Sequence, residues 1–282
     1  MRKGIILAGG SATRLNPTTK YITKHLLPVY DKPMINYSLS VLMLANIRDI
    51  LIICNFRDLN SFRDYFGTGK RLGLKISYEV QEKPNGLAEA FIIGEKFIKK
   101  DPVALVLGDN IFFGSNLKKQ LIEANESKKG SIFLKKVINP RRFGVASFNK
   151  KNNKLFIIEE KPKKPKSDYA VTGLYFYEND VVKLAKSIKP SARGELEITD
   201  LNNLYIKKKK LNYHKLSRTT IWKDAGTFDS LIDTGNIIKK FQEENLTQIG
   251  LLEEISIRNK WIDKSIIKNI TEKKIKDYLK KI

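Results

Sequence analysis

Gly4-Ile5-Ile6-Leu7-Ala8-Gly9-Gly10-Ser11-Ala12-Thr13-Arg14-Leu15 is the stretch on which the reading of this chain turns. Gly4–Leu7 is a short apolar run, the pattern of a buried strand. It passes into Gly-Gly and then Ser-Ala-Thr-Arg, which predicts a tight loop and the start of a helix. Glycines let the backbone approach a ligand closely and turn its N–H groups toward it. A helix N-terminus would add positive partial charge at the same point. Arg14 offers a fixed fork of donors suited to phosphate. The loop reads as a polyphosphate cradle, and a purely structural Gly-Gly turn is the equal alternative on this segment alone.

Two common phosphate loops are excluded. Residues 9–14 read Gly-Gly-Ser-Ala-Thr-Arg rather than G-x-G-x-x-G, and no G-x-x-x-x-G-K-[ST] string occurs. Lys24, ten residues beyond Arg14, can return to the same phosphate group.

Outward from the loop, short apolar strands alternate with helical stretches. Strands are predicted at Lys3–Leu7, Asp49–Cys54, Lys75–Val80, Val103–Leu107, Ser131–Val137, Val145–Phe148, Leu155–Glu159 and Thr172–Tyr177. Helices are predicted at Ile35–Ala45, Leu59–Phe66, Gly86–Ile98, Leu117–Ser127 and Val181–Ser187. Lys207–Lys210 reads as the end of a helix before a strand at Leu211–Leu216. Such alternation indicates an α/β fold with a central, mostly parallel mixed sheet flanked by helices. One catalytic domain is expected over residues 1–234. A helical segment over 235–282 is expected to pack on it.

The chain has 282 residues, enough for a substantial core, and 41% hydrophobic residues, which is ordinary for a globular domain. No apolar stretch approaches the roughly 20 residues of a membrane span. The N-terminal apolar run is too short for a signal-peptide core, so a cytoplasmic protein without membrane insertion is expected. The single cysteine, Cys54, ends the run Leu51–Cys54 and reads as a buried thiol. A formal charge of +23 raises nucleic acid as a partner, but the 53 Lys and Arg are spread along the chain without interleaved aromatics. No specific nucleic-acid partner is therefore expected.

Asp109 follows the apolar strand Val103–Leu107 through Gly108. Ligands of open α/β sheets lie beyond the carboxyl ends of strands, so this aspartate faces the expected crevice. A turn or helix cap is its alternative role. Asp224, in Ile221-Trp-Lys-Asp-Ala-Gly-Thr227, is a second candidate. Two carboxylates suit Mg²⁺, which completes its shell with water and substrate phosphates. Nothing in the residues alone pairs them.

Several strings, in order, carry a stronger signal. They are Leu7–Pro17, Lys24-His-Leu-Leu-Pro-Val29, Tyr30-Asp-Lys-Pro-Met-Ile35 and Leu105-Val-Leu-Gly-Asp-Asn-Ile-Phe112. Glu159-Glu-Lys-Pro162, Tyr169–Tyr177 and Arg193-Gly-Glu-Leu-Glu-Ile-Thr-Asp200 continue the series. Together they resemble the sugar-1-phosphate nucleotidylyltransferases over nearly the whole chain, most weakly after Leu246.

The resemblance implies a Rossmann-like nucleotide-diphospho-sugar transferase fold. It also implies thymidylyl transfer from dTTP to glucose 1-phosphate, opening a route to deoxysugars such as rhamnose, and a homotetramer with Mg²⁺ on Asp109 and Asp224. Arg14, Lys24, Asp109, Lys161 and Asp224 become the catalytic set. Leu7, Gly9, Gly10, Thr13, Arg14, Lys24, Gln81, Pro84 and Gly86 become the nucleotide set. Gly108, Phe143, Gly144, Glu160, Lys161, Val171, Thr172, Arg193 and Glu195 become the sugar-phosphate set. Without the resemblance, Lys161 and Arg193 would read as solvated surface charges. Both histidines, His25 and His214, lie outside any triad-like setting, and a phosphate nucleophile needs no general base.

The chain departs from the family pattern at five places. Ala12 replaces a glycine, which is harmless only at negative φ. Phe143 replaces a sugar-contacting tyrosine, and His25 a glutamine. Lys223 and Ala225 flank Asp224 where an apolar residue and a threonine are usual. UTP, another sugar 1-phosphate, or a noncatalytic sugar-nucleotide-binding role stay open as alternatives.

Overall fold

The computed structural model describes residues 1–10, 12–149 and 151–281. Its strands begin with β1 (Lys3–Ala8), β2 (Pro28–Val29), β3 (Lys32–Pro33), β4 (Asp49–Cys54), β5 (Lys75–Val80) and β6 (Val103–Leu107). They continue with β7 (Asn110–Phe113), β8 (Gly130–Lys136), β9 (Gly144–Phe148), β10 (Leu155–Glu160), β11 (Tyr169–Tyr177), β12 (Leu211–Lys215) and β13 (Ile221–Asp224). The helices are α1 (Met34–Leu44), α2 (Leu59–Phe66), α3 (Glu89–Ile93), α4 (Glu95–Ile98) and α5 (Leu117–Glu126). After them come α6 (Val181–Ser187), α7 (Ile198–Lys207), α8 (Phe228–Asn245), α9 (Leu252–Arg258) and α10 (Lys273–Lys280).

The main sheet runs β10-β9-β11-β6-β1-β4-β5, with β8 on β11 and β12 on β8. Strands β5, β4, β1 and β6 are parallel, and β11 joins antiparallel to β6. Strand alternation sorts the core into two layers. Ile6 and Ala8 face Leu39, Leu42, Phe62 and Leu121 of α1, α2 and α5. Ile5 and Leu7 face Phe91, Val182 and Leu201 of α3, α6 and α7. Each fully buried Ile, Leu or Phe among them contributes roughly 1.5–3 kcal/mol.

The chain passes from β1 to its neighbour β4 on one side, and returns from β5 to β6 on the other side of β1, so the loops leaving β1 and β6 part and open a crevice at the strands' carboxyl ends. Gly108 N donates to Leu7 O at 2.9 Å there, which sets the Gly-Gly loop beside Asp109.

The predicted helix start after Gly10 is not formed. Three-residue 3₁₀ turns occupy Thr13–Leu15 and Thr18–Lys20. Pro17 supplies no N–H, and Asn16 before it is extended at φ −67°, ψ 145°, so no α-turn can propagate. The helix-dipole contribution expected at this loop is therefore missing; Ser11 lies outside the described residues. Ala12 sits at φ 51°, so the departure from glycine is not harmless. The left-handed conformation costs a residue with a Cβ roughly 1–2 kcal/mol.

The predicted Gly86–Ile98 helix begins at Glu89 and is interrupted at Gly94. The segment Asn110–Phe113 and Ile221–Asp224 pair as a separate antiparallel ribbon that sequence reading did not assign. Residue 234, the expected domain limit, falls inside α8, which starts on a Thr227–Ser230 capping box. Beyond it, Leu252 and Ile255 of α9 join the core layer of α1. Among the described residues no helix is long and apolar enough to cross a membrane. Cys54 is fully buried, and burial, aided by Asp58, pushes its thiol up to about 12.

Candidate active site

Two aspartates meet where β6 and the β7–β13 ribbon end. Asp109 immediately precedes β7, and the Ala225 N–H just beyond β13 donates to its carbonyl at 3.0 Å. Asp224 stands opposite Asn110 in register. On β13 the side chains of Trp222 and Asp224 share one face, as period two requires, and both line the cleft.

The carboxylates sit in contrasting environments. Asp109 Oδ2 accepts from Lys24 Nζ at 2.6 Å, and the two side chains are only 17% and 8% exposed. Burial alone would raise the Asp109 carboxyl. The Lys24 ammonium, with help from His25 and Asn110, instead holds it well below the usual carboxylate range. Asp224 is pushed up, first by burial and then by the Asp109 charge, against the pull of Lys24, Arg14 and Arg142. Its Oδ1 is buried with no hydrogen-bond partner among the described residues. An orphaned carboxylate oxygen beside a second carboxylate is a donor set that fits a small divalent cation.

A cavity of about 290 Å³ opens on this pair. Phe143, Gly144, Glu160, Lys161, Val171, Arg193 and Glu195 of the predicted sugar-phosphate set line it, together with Arg14. Thr199 Oγ1 donates to Glu160 Oε2 at 2.5 Å, while Oε1 lies 3.9 Å from Lys161 Nζ. Arg193 is already engaged. Its Nε and Nη2 reach Glu197 Oε1 at 3.2 and 2.8 Å, Nη2 also reaches Oε2 at 2.9 Å, and Glu160 and Glu195 lie 3.6 and 3.5 Å away. Glu197 was missed in the sequence; the only local signal was its i,i+4 spacing from Arg193. Thr172 is buried and donates to the Phe133 carbonyl at 3.0 Å, so its side chain faces away from the cavity. Gly108 does not line it either, and the ring of His25 fills the space beside Gly108.

A second hollow of about 190 Å³ adjoins the first and shares Leu87, Leu107, Asp109 and Glu195 with it. Leu7, Gly10, Lys24, Gln81, Pro84 and Gly86 of the predicted nucleotide set line this part. Gly9 packs against the Gln81 amide behind it, and Thr13 lies outside both hollows. Gln81 Nε2 donates to Glu89 Oε2 at 2.7 Å, so the amide presents its carbonyl edge away from α3. Gly86, at φ 111°, lies against the Leu196 backbone, where a Cβ would come within 2.5 Å of its N and O. Asn85 and Ala88 bond to Leu196 on either side, which ties the Pro84–Ala88 loop to the Arg193–Glu197 loop.

A sequence model described as nucleotidyl transferase matches residues 3–240. This chain belongs to the nucleotidyl transferase family. The glucose-1-phosphate thymidylyltransferase of Neisseria meningitidis serogroup A is 54% identical over 92% of this chain and 90% of its own length. A crystal structure from Bacillus anthracis, of a protein provisionally identified as a glucose-1-phosphate thymidylyltransferase and holding sucrose, aligns with TM-score 0.78 and 43% identity over 84% of this chain and 95% of that one. A UDP-glucose pyrophosphorylase complexed with UDP-glucose aligns with TM-score 0.76 and 25% identity over 86% and 99%.

In this nucleotidyl transferase His25 is a structural group with a pH signature. Burial, then Lys24, pushes its imidazole from 6.5 down to about 3, against the pull of Asp109. Between those values the unfolded chain binds the proton and the folded chain does not, so stability falls as pH drops below 6.5. The steepest contribution is about 1.4 kcal/mol per pH unit. His25→Gln is expected to remove it, so that thermal melts of variant and parent diverge between pH 6.5 and 4. Parallel melting curves would contradict the assignment.

Proposed function

We propose that this chain transfers the thymidylyl group of dTTP to glucose 1-phosphate, giving dTDP-glucose and pyrophosphate, as a glucose-1-phosphate thymidylyltransferase. The observation that supports this most is the convergence of Asp109 and Asp224 with Lys24 and Arg14 at one cleft floor. A phosphate oxygen of the sugar phosphate attacks the α-phosphorus as the bond to the β-phosphate oxygen breaks, and pyrophosphate carries the electrons away. Both reactants are already anionic, so no proton must move. The protein's task is to hold mutually repelling anions in line and neutralise charge.

In this reading Arg14 and Lys24 take the pyrophosphate end. Lys161 and the unpaired edge of Arg193 take the sugar phosphate. Glu160, fixed by Thr199, accepts from sugar hydroxyls. Asp109 and Asp224 would hold Mg²⁺, which supplies charge neutralisation at the α-phosphate. Leu7, Gly10, Gln81, Pro84 and Gly86, which line the second hollow, hold the base and triphosphate. We extend the same reading to a cytoplasmic location, a homotetramer and a deoxysugar route, which the family resemblance implies.

The Gln81 carbonyl edge suits the N3–H of a pyrimidine such as thymine or uracil, and not the bare N3 of cytosine. Gln81→Ala is expected to reduce preference for dTTP over dCTP by about tenfold, the worth of one hydrogen bond. Competition kinetics with the two nucleotides reads this directly, and unchanged preference would remove Gln81 from the base site.

Pyrophosphate release with glucose 1-phosphate, Mg²⁺ and either dTTP or UTP tests the whole reading. Release that prefers dTTP and needs sugar phosphate and metal is expected. Preference for UTP would keep the chemistry and change the nucleotide, and binding of dTTP without release would favour a noncatalytic role.

A further inference from the structure

Asn110 is 3% exposed, and both ends of its amide are committed. Oδ1 accepts from Trp222 Nε1 at 2.6 Å and from Gly173 N at 3.1 Å. Nδ2 donates to Asp109 Oδ1 at 2.9 Å. A flipped amide would point its NH₂ at two N–H donors, so Trp222 and Gly173 dictate which end faces Asp109. The ribbon register brings this about. Asn110 pairs with Asp224 and Phe112 with Trp222, so Asn110 and Trp222 are diagonal neighbours on one face. On its far side the Trp222 ring packs on Phe143, with centroids 5.0 Å apart and planes at 58°. Phe143 is a wall of the sugar-phosphate cavity.

We propose that Trp222, acting through the Asn110 amide, is a positioning residue that orients the Asp109 carboxylate for a divalent cation. The proposal rests on the two-aspartate metal reading above. Asp109 has one oxygen held by Lys24 and the other by Asn110, so both are set before a cation arrives. A ligand held in this way loses less rotational freedom on binding, which raises affinity. The same indole also lines the cavity beside Phe143, so metal binding without substrates, rather than turnover, isolates the effect of its N–H.

The test is Trp222→Phe, which keeps an aromatic ring against Phe143 and removes the N–H, beside Asn110→Ala and the double variant. Mn²⁺ binding to each protein without substrates is read from the electron paramagnetic resonance signal of free Mn²⁺. Each single variant is expected to weaken Mn²⁺ binding about tenfold, as loss of an outer partner of a metal ligand commonly does. The Mg²⁺ concentration for half-maximal turnover should rise in step. The double variant should be no worse than Asn110→Ala, because both act through one path. Unchanged Mn²⁺ affinity in Trp222→Phe, or additive losses in the double variant, would overturn the proposal. If Trp222→Phe does not fold, Asn110→Ala alone decides, with unchanged affinity counting against the relay. Asp109→Asn separates the two ideas. If it too leaves Mn²⁺ binding intact, the metal reading fails; if it abolishes binding while Trp222→Phe does not affect it, the relay alone fails.

Discussion

Asp109→Asn and Asp224→Asn are each expected to lower kcat by roughly 10²–10³-fold while leaving the protein folded, the scale of removing one preorganised charge from a reacting centre. The two should part company in stability. Asp109 is paired with Lys24 at 2.6 Å, and its carboxyl is held low by that pairing. Neutralising it leaves a nearly buried ammonium without its charge partner and at the same time relieves the repulsion on Asp224. The two changes oppose one another, so the melting temperature should move little or fall slightly. Asp224 has its carboxyl pushed up and one buried oxygen unpartnered. A group whose folded pKa is raised weakens the fold once pH exceeds its unfolded value. An uncharged Asn in its place should therefore stabilise the metal-free protein, by about 1 kcal/mol, or roughly 2 °C for a chain of this size. Loss of activity with a gain in melting temperature is the pattern to look for. A wild-type rate in either variant would remove that aspartate from the reacting centre.

Gly226→Ala is expected to cut kcat/KM by about a hundredfold, the effect of displacing a reacting group by about an ångström. A Cβ at 226 would stand 2.9 Å from Arg14 Nη2 and 2.9 Å from Asp224 Oδ1. Both atoms end flexible side chains, so the chain can give way without unfolding. What gives way is the placement of Arg14 and Asp224 around residue 226, on which the proposed transfer depends. Unchanged melting with reduced turnover for both substrates is the expected result. Full activity would mean that Arg14 and Asp224 need not lie together during turnover.

The strands, the Gly-Gly loop and Asp109 were legible in the sequence because each depends on neighbours only a few residues away. Val103–Leu107 followed by Gly108-Asp109 reads as a strand end whatever lies elsewhere. The residues just after Gly10 suggest a helix start, but Pro17, several residues on, forbids it. The resemblance alone puts Thr172 at the sugar. Strand alternation lets Val171, Gly173 and Tyr175 face the cavity and turns Thr172 toward Phe133.

Sequence by itself determined the alternating α/β pattern, the buried faces and the family, because hydrophobic period and ordered motifs are local and survive without coordinates. Only the tertiary structure decided which charges are free. Glu197 occupies Arg193, Glu89 orients Gln81, and Trp222 locks Asn110. Asp224 faces Asp109 because β13 pairs in register with β7 across more than a hundred residues. Such pairings depend on register and loop closure between distant segments, and no short stretch of sequence encodes them.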